Sequence, residues 1–476
     1  LQAVPGAPLI GGVRLIGAIY DANTAIGDPF LGGGDTVGAA LRIEHELSDR
    51  VSLSSLTAWR YYDIPNTVDT DGGPAVIADV MLAEKTTTLQ QEFLMTGSAT
   101  RLDWTLGLFY FYSDSGPKPF TSASTPGPNN FWQEGAIFTD SYAAFGQGTY
   151  QLTDGTRLTL GARYTYEEKE TKAKRYAAAG NPAPLGSLVA DTANLPESQR
   201  KRDWSKPTFR VALDHQLTDD VLAYVSWNRG FKSGSFASNN AFDPAVDPET
   251  LDAYEIGLKT ELFDRRVRLN TSAYYYDYKN IQLIALTPLG PVIKNAASGR
   301  VQGLETEMAY APPVSRGRLQ IRASMSFMDS EYQDFPNATF FLPRPTNVPP
   351  FGGNVSFVAD ASGNDLIRAP RFSASLAFDY TVPLAADTDA RLNLTWSHTG
   401  KFYWDPDNRM QEPANELVNA QVSYGASSAG WRVRVWGRNL LDREYYGSMN
   451  SSGFGDTGVP GAPRTSGVAA DFPPGR

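Results

Sequence analysis

Two short segments of the sequence have residue types and spacings that could bind a phosphate or an ion. Gly230–Gly234 has the glycines of a phosphate-binding loop, but the required glycine–lysine spacing is missing and no helical pattern follows. Asp69, Asp71 and Gly72 open like a calcium-binding loop, yet the twelfth residue is Val80, where such a loop carries a glutamate. We interpret the first segment as a strand bending into a loop. The second is interpreted as a solvated acidic turn, with a bound loop ion as the alternative.

Side chains that hold metals or act as nucleophiles are scarce in this sequence. There is no cysteine, and the three histidines, His45, His215 and His398, are far apart. A metal site needs several convergent ligands, so lone wall or surface positions are the expected reading for all three. The oxygen-rich segment 405–408 is a weaker candidate for an ion. We find no nucleophile beside a base, so we predict no catalytic residue, no metal site, no cofactor and no enzymatic activity.

Alternation of apolar and polar residues is the pattern that organises the chain. In Arg318–Phe327, every second residue from Leu319 to Phe327 is apolar and the residues between them are polar. Side chains of a strand point to opposite faces in turn, so such a strand has one apolar and one polar face. The same split recurs along the chain, and no helical segments accompany it to cover the apolar faces. This pattern predicts a transmembrane antiparallel β-barrel with lipid outside and water inside.

The composition agrees with a barrel and argues against other classes. Hydrophobic residues make up 41% of 476, and no run approaches the roughly 18 apolar residues that a membrane helix needs. Aromatic residues reach 12%, as expected when rings line both membrane interfaces. A net charge of −10 argues against nucleic acid as a partner, whereas outer-membrane lipid is the expected one. A large soluble all-β protein is the alternative.

The connections between predicted strands alternate between short and long. Short turns with Asp or Gly occur at 48–50, 153–155, 218–219 and 263–265. An antiparallel barrel has this alternation when its short turns lie on the periplasmic side and its long loops outside the cell. The long connections are Asp63–Glu84, Ser113–Gly135, Thr171–Arg202, Lys232–Asp247, Asp329–Leu366, Gly400–Glu412 and Asp442–Val459.

This scheme predicts roughly 17 strands, from Val37–Leu47 to Arg464–Phe472. The first of them runs into a short turn, so it descends from the outside, and residues 1–35 become an extracellular loop remnant. Residues 36–476 then form the barrel. A barrel of this kind does not begin outside the cell, so we expect an ascending partner strand upstream and read the chain as truncated at its N-terminus.

An ordered series of segments resembles the barrel of TonB-dependent outer-membrane receptors. Each segment is a weak signal alone, but together they follow the family's order over nearly the whole chain. The segment Asn228–Phe236 (NRGFKSGSF) is the most recognisable of them. The others are Ser55–Asp63, Leu89–Gly97, Leu160–Tyr166, Pro248–Thr250, Tyr254–Lys259, Asn295–Glu307, Gly437–Tyr446 and Pro460–Thr465.

The resemblance implies a 22-stranded barrel with a plugged lumen, of which this chain would be the last 17 strands. It also implies an N-terminal plug domain and a TonB-contacting box, through which the family couples to the TonB–ExbB–ExbD complex. Nothing in Leu1–Asp35 resembles a plug, so the plug domain is expected to be absent from this chain. A second departure lies at Pro473–Arg476, where prolines follow the last strand and the family usually ends on an aromatic residue.

Two sets of residues are candidates for binding. Arginines on the polar faces of two strands would face the lumen, either as a salt-bridged wall that docks a plug or as a track that guides an anion; they are Arg318, Arg322, Arg432, Arg434 and Arg438. Aromatic residues of the outer loops could stack on a ligand or pack the loops against each other. They are Phe120, Trp132, Tyr332, Phe340, Phe341 and Trp404.

The resemblance implies a receptor in the outer membrane of a Gram-negative bacterium. Its expected role is TonB-dependent uptake of a scarce, bulky small molecule, most often a ferric siderophore or similar iron complex in this family. Uptake of a glycan, a cobalamin-like compound or an aromatic compound by the same fold stays open. A passive porin-like channel is a further alternative.

Overall fold

The computed structural model describes the strands of the chain and most of their connections. The described residues are 33–69, 79–123, 131–179, 189–190, 197–237, 243–287, 290–343, 354–385, 387–426, 430–451 and 468–471. The prediction for residues 1–35 falls almost entirely outside these ranges, as does the calcium-loop candidate beyond Asp69. Within the described ranges, no helix is long and apolar enough to cross a membrane.

Strands account for nearly all the regular structure. They are β1 Asp35–Ser48, β2 Val51–Asp69, β3 Asp79–Ala99, β4 Leu102–Ala123, β5 Phe131–Thr153, β6 Thr156–Ala179, β7 Val189–Ala190, β8 Glu197–Thr218, β9 Val221–Lys232, β10 Glu249–Leu262, β11 Val267–Thr287, β12 Gly290–Tyr310, β13 Arg318–Asp334, β14 Ala338–Pro343, β15 Asn354–Ala359, β16 Phe372–Ala385, β17 Thr388–Thr399, β18 Phe402–Tyr403, β19 Gln411–Glu412, β20 Asn415–Ala426, β21 Trp431–Gly437, β22 Ser448–Ser451 and β23 Val468–Asp471.

One large antiparallel sheet forms the wall. Sixteen strands pair in chain order from β1 to β21, and the short β7 adds to the far end of β6. The strands β14–β15, β18–β19 and β22–β23 form separate hairpins outside this order. The predicted all-β antiparallel architecture is therefore confirmed. The number of 22 strands for a complete barrel stays a prediction.

The two faces of the wall differ as the alternation predicts. On β13, Met325 is 44% exposed and Phe327 is 50% exposed, and their face contains the other apolar residues of the strand. The register continues this face to Phe372 of β16 and Leu304 of β12. The apolar row is thus exposed, and it does not form a dry interior between two stacked layers. This is the arrangement of a sheet whose apolar face contacts lipid.

The long connections are shorter than the sequence suggests, because the strands continue into them. The predicted loop Asp63–Glu84 is largely the paired ends of β2 and β3, which remain in register from Asp63↔Lys85 to Asp69↔Asp79. The predicted loops Ser113–Gly135 and Thr171–Arg202 are likewise extended by β4, β5, β6 and β8. Beyond the membrane both faces of a hairpin contact water. The apolar–polar contrast therefore disappears there while the backbone hydrogen bonds continue.

Candidate functional site: the polar face and the long-loop edge

The predicted arginines lie on the polar face of the wall or just beyond it. Arg318 and Arg322 alternate with Leu319 and Ile321 on β13, whose apolar side chains point the other way. Arg432 and Arg434 share one face of β21, and Arg438 follows the end of that strand. The sequence spacing therefore groups the two pairs of arginines correctly, each on its own strand.

Two of these arginines have carboxylate partners. Arg322 Nη2 donates to Asp379 Oδ2 of β16 at 2.6 Å. Arg432 donates to Asp389 of β17 at 2.9 Å, and the same carboxylate accepts from Arg391 Nε at 2.9 Å. Such pairs are the expected form of a hydrated wall in which cations and anions neutralise each other. An anion track through Arg322 and Arg432 is less favoured by this geometry, because both charges are already compensated.

A basic row on β8 was missed by the sequence reasoning. Arg200, Arg202, Lys206 and Arg210 all fall on even positions of one strand, opposite the exposed apolar residues Phe209, Val211 and Leu213. The register with β6 has no irregularity between Glu197 and His215, so the four cations share the polar face along its length. The signal was visible as period-two basic residues between positions 200 and 210. It was overlooked because the segment lies partly within a predicted loop.

The upper end of this row is packed against the loop that follows β9. Arg202 forms an ion pair with Asp247 and also donates to the carbonyl oxygen of Ala245 at 3.2 Å. Its guanidinium lies 5.5 Å from the ring centroid of Trp204, and that indole is 7% exposed. The Arg202 guanidinium therefore contacts both the Trp204 ring and the Asp247 carboxylate at the long-loop edge of the wall.

In the glycine-rich segment at the end of β9, Gly234 lies where a side chain would not fit. A Cβ at this position would come within 2.3 Å of the Trp204 ring and 2.3 Å of the carbonyl oxygen of Val246. The glycine is therefore required for close approach of the loop to the wall. This supports the interpretation of Gly230–Gly234 as a bend at the rim.

The same loop is fastened to the hairpin β11–β12. The Gln282 side chain donates to the carbonyl oxygens of Ser233 at 2.9 Å and Asp247 at 3.0 Å. Asn295 accepts from the Asp247 backbone N–H at 2.6 Å and donates to its carbonyl oxygen at 2.8 Å. The loop backbone thereby gains partners for its polar groups, which fixes its position over the rim.

A tyrosine group occupies the polar face of β9 and β11, the first and third strands beyond β8. Tyr274 and Tyr276 of β11 stack with their centroids 4.7 Å apart, and the Tyr224 hydroxyl of β9 donates to Glu255 at 2.5 Å. The wall thus changes along its circumference, from basic on β8 to tyrosine on β9 and β11 and glutamate on β10. Glu305 faces the same side on β12, opposite Ser272.

The predicted loop aromatics divide into two groups. Tyr332, Phe341 and Trp404 are 1%, 7% and 5% exposed, so in this conformation their rings pack the loops and leave no face for a ligand. Their burial favours the packing alternative for these three, because the loops fold into a compact layer that encloses them, and ligand contact stays a prediction. Phe340 is only partly buried and meets Phe357 edge to face at 5.7 Å. Phe120 and Trp132 lie at the paired ends of β4 and β5.

Tyr332 is the centre of the loop layer. Its neighbours are Ile281 and Ala297 from the β11–β12 hairpin, and Phe335, whose ring centroid is 5.1 Å away. The Tyr332 backbone N–H donates to Asn364 at 2.9 Å, which joins β13 to the later loop. Burial raises the pKa of the Tyr332 phenol to about 12, because the buried site disfavours the charged phenolate.

The oxygen-rich segment at 405–408 is a structural link between loops. The Asn408 side chain accepts from the Asp365 backbone N–H at 2.7 Å and donates to the Asp365 carbonyl oxygen at 3.0 Å. Asp407 pairs with Arg409 at 2.8 Å. Asn408 has φ of 54°, a left-handed conformation that asparagine tolerates better than most residues. These oxygens are engaged in fixing the turn, which favours the structural reading over an ion site.

The histidines remain separate in space along the wall. His215 Nδ1 lies 2.9 Å from the Thr156 hydroxyl near a short turn, and His398 Nδ1 lies 3.5 Å from Glu416 on the apolar-face side of β17. Across the part of the chain that the structure describes, no group of three or more His, Asp or Glu side chains could hold a metal ion.

The family model described as TonB dependent receptor-like, beta-barrel, matches residues 6–440. The chain therefore belongs to the TonB-dependent receptor family, and the predicted recognition is confirmed. Barrels of this family lie in the outer membrane of Gram-negative bacteria, which confirms the predicted localisation and the assignment of the apolar face to lipid.

Individual relatives are distant in sequence and longer than this chain. The metal-pseudopaline receptor CntO of Pseudomonas aeruginosa is 23% identical over 315 residues, which cover 64% of this chain and 37% of that receptor. The ferric-pyoverdine receptor PbuA of a Pseudomonas species is 23% identical over 347 residues, covering 70% of this chain and 36% of that receptor. The chain thus spans little more than a third of these relatives.

Solved structures share the fold. The ferric yersiniabactin uptake receptor FyuA from Yersinia pestis superposes with a TM-score of 0.70 at 17% identity, covering 92% of this chain and 59% of that one. The siderophore receptor PiuA from Acinetobacter baumannii gives a TM-score of 0.66 at 14% identity, covering 92% and 62%. At these identities the likeness establishes the barrel architecture.

Proposed function

We propose that this chain is the barrel part of an outer-membrane receptor that takes up a metal complex, most simply a ferric siderophore. The observation that carries the proposal is the family membership together with the named cargo of its relatives. Metal-pseudopaline and ferric-pyoverdine are cargo of the curated relatives, and ferric yersiniabactin is cargo of a structural neighbour. In this proposal the metal is cargo held by its own chelator.

The polar face supports binding of a complex with anionic character. Arg202 at the rim and Lys206 and Arg210 below it form a row that leads from the long-loop edge into the wall. Within the described residues, Lys206 and Arg210 have no carboxylate partner, and Arg210 is held by Asn228 at 3.1 Å. Uncompensated cations on one wall attract an anion entering the bore.

We propose that energy coupling runs through the plug domain and TonB box that the family uses. The family's plug and its TonB box would contact the TonB–ExbB–ExbD complex, and the polar face would receive the plug. Among the predicted aromatic residues, Phe120, Trp132 and Phe340 remain candidates for ligand contact. All five predicted arginines, Arg318, Arg322, Arg432, Arg434 and Arg438, remain candidates for facing the lumen.

The test is uptake by a strain that lacks the gene, complemented by the full-length gene. We expect accumulation of radioactive iron from a ferric siderophore to require the gene and to stop when a protonophore collapses the membrane energy. A glycan and cobalamin serve as competing cargo. Growth restored by a glycan or cobalamin, without an iron phenotype, would overturn the cargo assignment. Uptake that continues after the protonophore would instead indicate a passive channel.

A further inference from the structure

An apolar groove of about 710 Å³ lies on the outside of the wall across β4, β5, β6 and β8. Gly146 and Gly148 form its floor on β5, and Trp104 and Leu106 form one side on β4. Phe209 of β8 and Trp227 of β9 form the other side, with their ring centroids 6.3 Å apart.

The register places this groove on the lipid-facing side. Leu106 is 49% exposed and pairs directly with Gly146, and Gly148 pairs with Leu160, which is 52% exposed. All four share the face of the exposed apolar residues, opposite Arg163 and the basic row of β8. The groove is therefore a depression in the surface that the family exposes to hydrocarbon, and it is continuous with that surface.

We propose that this groove binds one acyl chain of a phospholipid from the periplasmic leaflet. A chain lying on a convex wall touches protein along one side, whereas a chain in this depression also touches an aromatic side chain at its flank. Each dispersion contact contributes little free energy, but these contributions add along an acyl chain. A lipid in the groove should therefore exchange with bulk lipid more slowly than a lipid elsewhere on the wall. The missing side chain at Gly148 contributes to the room, because a Cβ there would have only Leu102 Cδ1 within 4 Å.

The polar end of the groove fits the headgroup of the same lipid. The groove begins at Leu102, the first residue of β4, and runs away from the short-turn edge. Arg101 lies in the turn immediately before it and is exposed. Short turns of such barrels lie on the periplasmic side, so Arg101 stands at the depth of the phosphates of that leaflet. A guanidinium and a phosphate form strong, paired hydrogen bonds.

A second copy of the chain is the competing occupant, and the shape of the groove disfavours it. The depression spans β4, β5, β6, β8 and β9, so a partner barrel would need a ridge that matches it. The exposed apolar residues of β4 and β8 stand beside the groove as its walls, and an isologous contact would set wall against wall. A flexible hydrocarbon chain meets no such constraint.

The experiment uses the full-length receptor reconstituted in vesicles of phosphatidylethanolamine and phosphatidylglycerol. A small fraction of the phosphatidylethanolamine carries a photoreactive diazirine on one acyl chain. After irradiation, labelled peptides are mapped by mass spectrometry. We expect labelling to concentrate in residues 102–107, 144–150 and 207–213, above the level on the rest of the apolar face.

Variants separate a site from general lipid contact. Gly148→Leu fills the floor. Its Cβ would meet only Leu102 Cδ1, at 3.4 Å, so we expect the variant to fold. We expect it to reduce labelling of the groove to that of the surrounding surface. Ala273→Leu adds the same side chain to the exposed apolar face of β11 and should leave groove labelling unchanged. Arg101→Gln should reduce labelling by the phospholipid but leave that by an uncharged diacylglycerol probe unchanged.

Three outcomes would overturn the proposal. Uniform labelling over the apolar face would show that the depression holds no preferred lipid. Unchanged labelling in Gly148→Leu, repeated with Ala162→Leu as a second filling variant, would show that the groove is not the site. Disulfides between two receptor chains, formed on mild oxidation of Trp104→Cys or Phe209→Cys in the same vesicles, would assign the groove to a second copy.

Discussion

Replacing Gly234 by alanine tests whether the rim loop is held by close packing against the wall. The added Cβ would lie 2.3 Å from ring atoms of Trp204 and 2.3 Å from the carbonyl oxygen of Val246. A backbone oxygen on one side and a buried indole on the other leave the methyl group no direction in which to relax. Overpacking of this kind typically costs about 1–3 kcal/mol.

The cost should appear as local opening of the segment between β9 and β10. One factor of ten in an equilibrium corresponds to about 1.4 kcal/mol, so the opening constant should rise by about five- to 150-fold. Amide hydrogen exchange of the full-length receptor in detergent measures this directly, because exchange in the segment follows the opening constant. The backbone N–H groups of Val246 and Asp247 are the reporters, since both are hydrogen-bonded in the structure.

Gly230→Ala is the matched control. A Cβ at Gly230 would meet nothing within 4 Å, although the residue lies only four positions away in the same glycine-rich segment. We expect its effect to stay within about 0.5 kcal/mol. Equal exchange rates in the two alanine variants, or an unchanged rate in Gly234→Ala, would refute the packing argument. The segment would then be interpreted as a flexible linker.

Further predictions concern the loop layer and the polar face. Tyr332→Ala removes a ring that is 1% exposed and should destabilise the loop layer by about 3–5 kcal/mol, seen as faster proteolysis of the segment after β13. The folded pKa of the Tyr332 phenol is raised from 10.0 to about 12, so its contribution to stability is present below pH 10 and is lost as the pH rises toward 12. The ultraviolet titration of the wild type minus that of Tyr332→Phe should show one phenol that titrates near pH 12. Lys206→Glu should weaken binding of an anionic ferric complex, whereas Lys279→Glu, which reverses a charge on the other face of the wall, should not; equal effects would exclude a role for the β8 row. Arg322→Ala should change the unfolding free energy by no more than about 1 kcal/mol, because the pair with Asp379 is solvent-exposed, and a larger loss would contradict that view.

The organisation of the wall was readable from the sequence because a strand's two faces meet different solvents. Leu319, Met325 and Phe327 alternate with Arg322 and Ser324, and the structure places the two sets on opposite faces of β13. Lipid on one side and water on the other impose a period of two on every strand that crosses the membrane. The order of strands followed from the alternation of short and long connections.

Above the membrane the sequence signal fails, because both faces of a strand meet water. Lys85 and Asp63 face each other in a ladder that was predicted to be a loop. The basic row of β8 was missed for the same reason, since Arg200 and Arg202 belong to the part of the strand beyond the apolar alternation. Backbone hydrogen bonds hold these extensions together, and they depend little on residue type.

The sequence by itself determined the class of protein, the faces of the wall and the grouping of its polar-face arginines. Only the tertiary structure decided which charges are compensated and which rings are accessible. Tyr332 and Trp404 are loop residues in the sequence, yet they are buried because segments distant in the chain, such as the one at Asn364, close over them. Burial and ion pairing depend on which strands and loops become neighbours, and a local pattern along one strand carries no information about its neighbours across the wall.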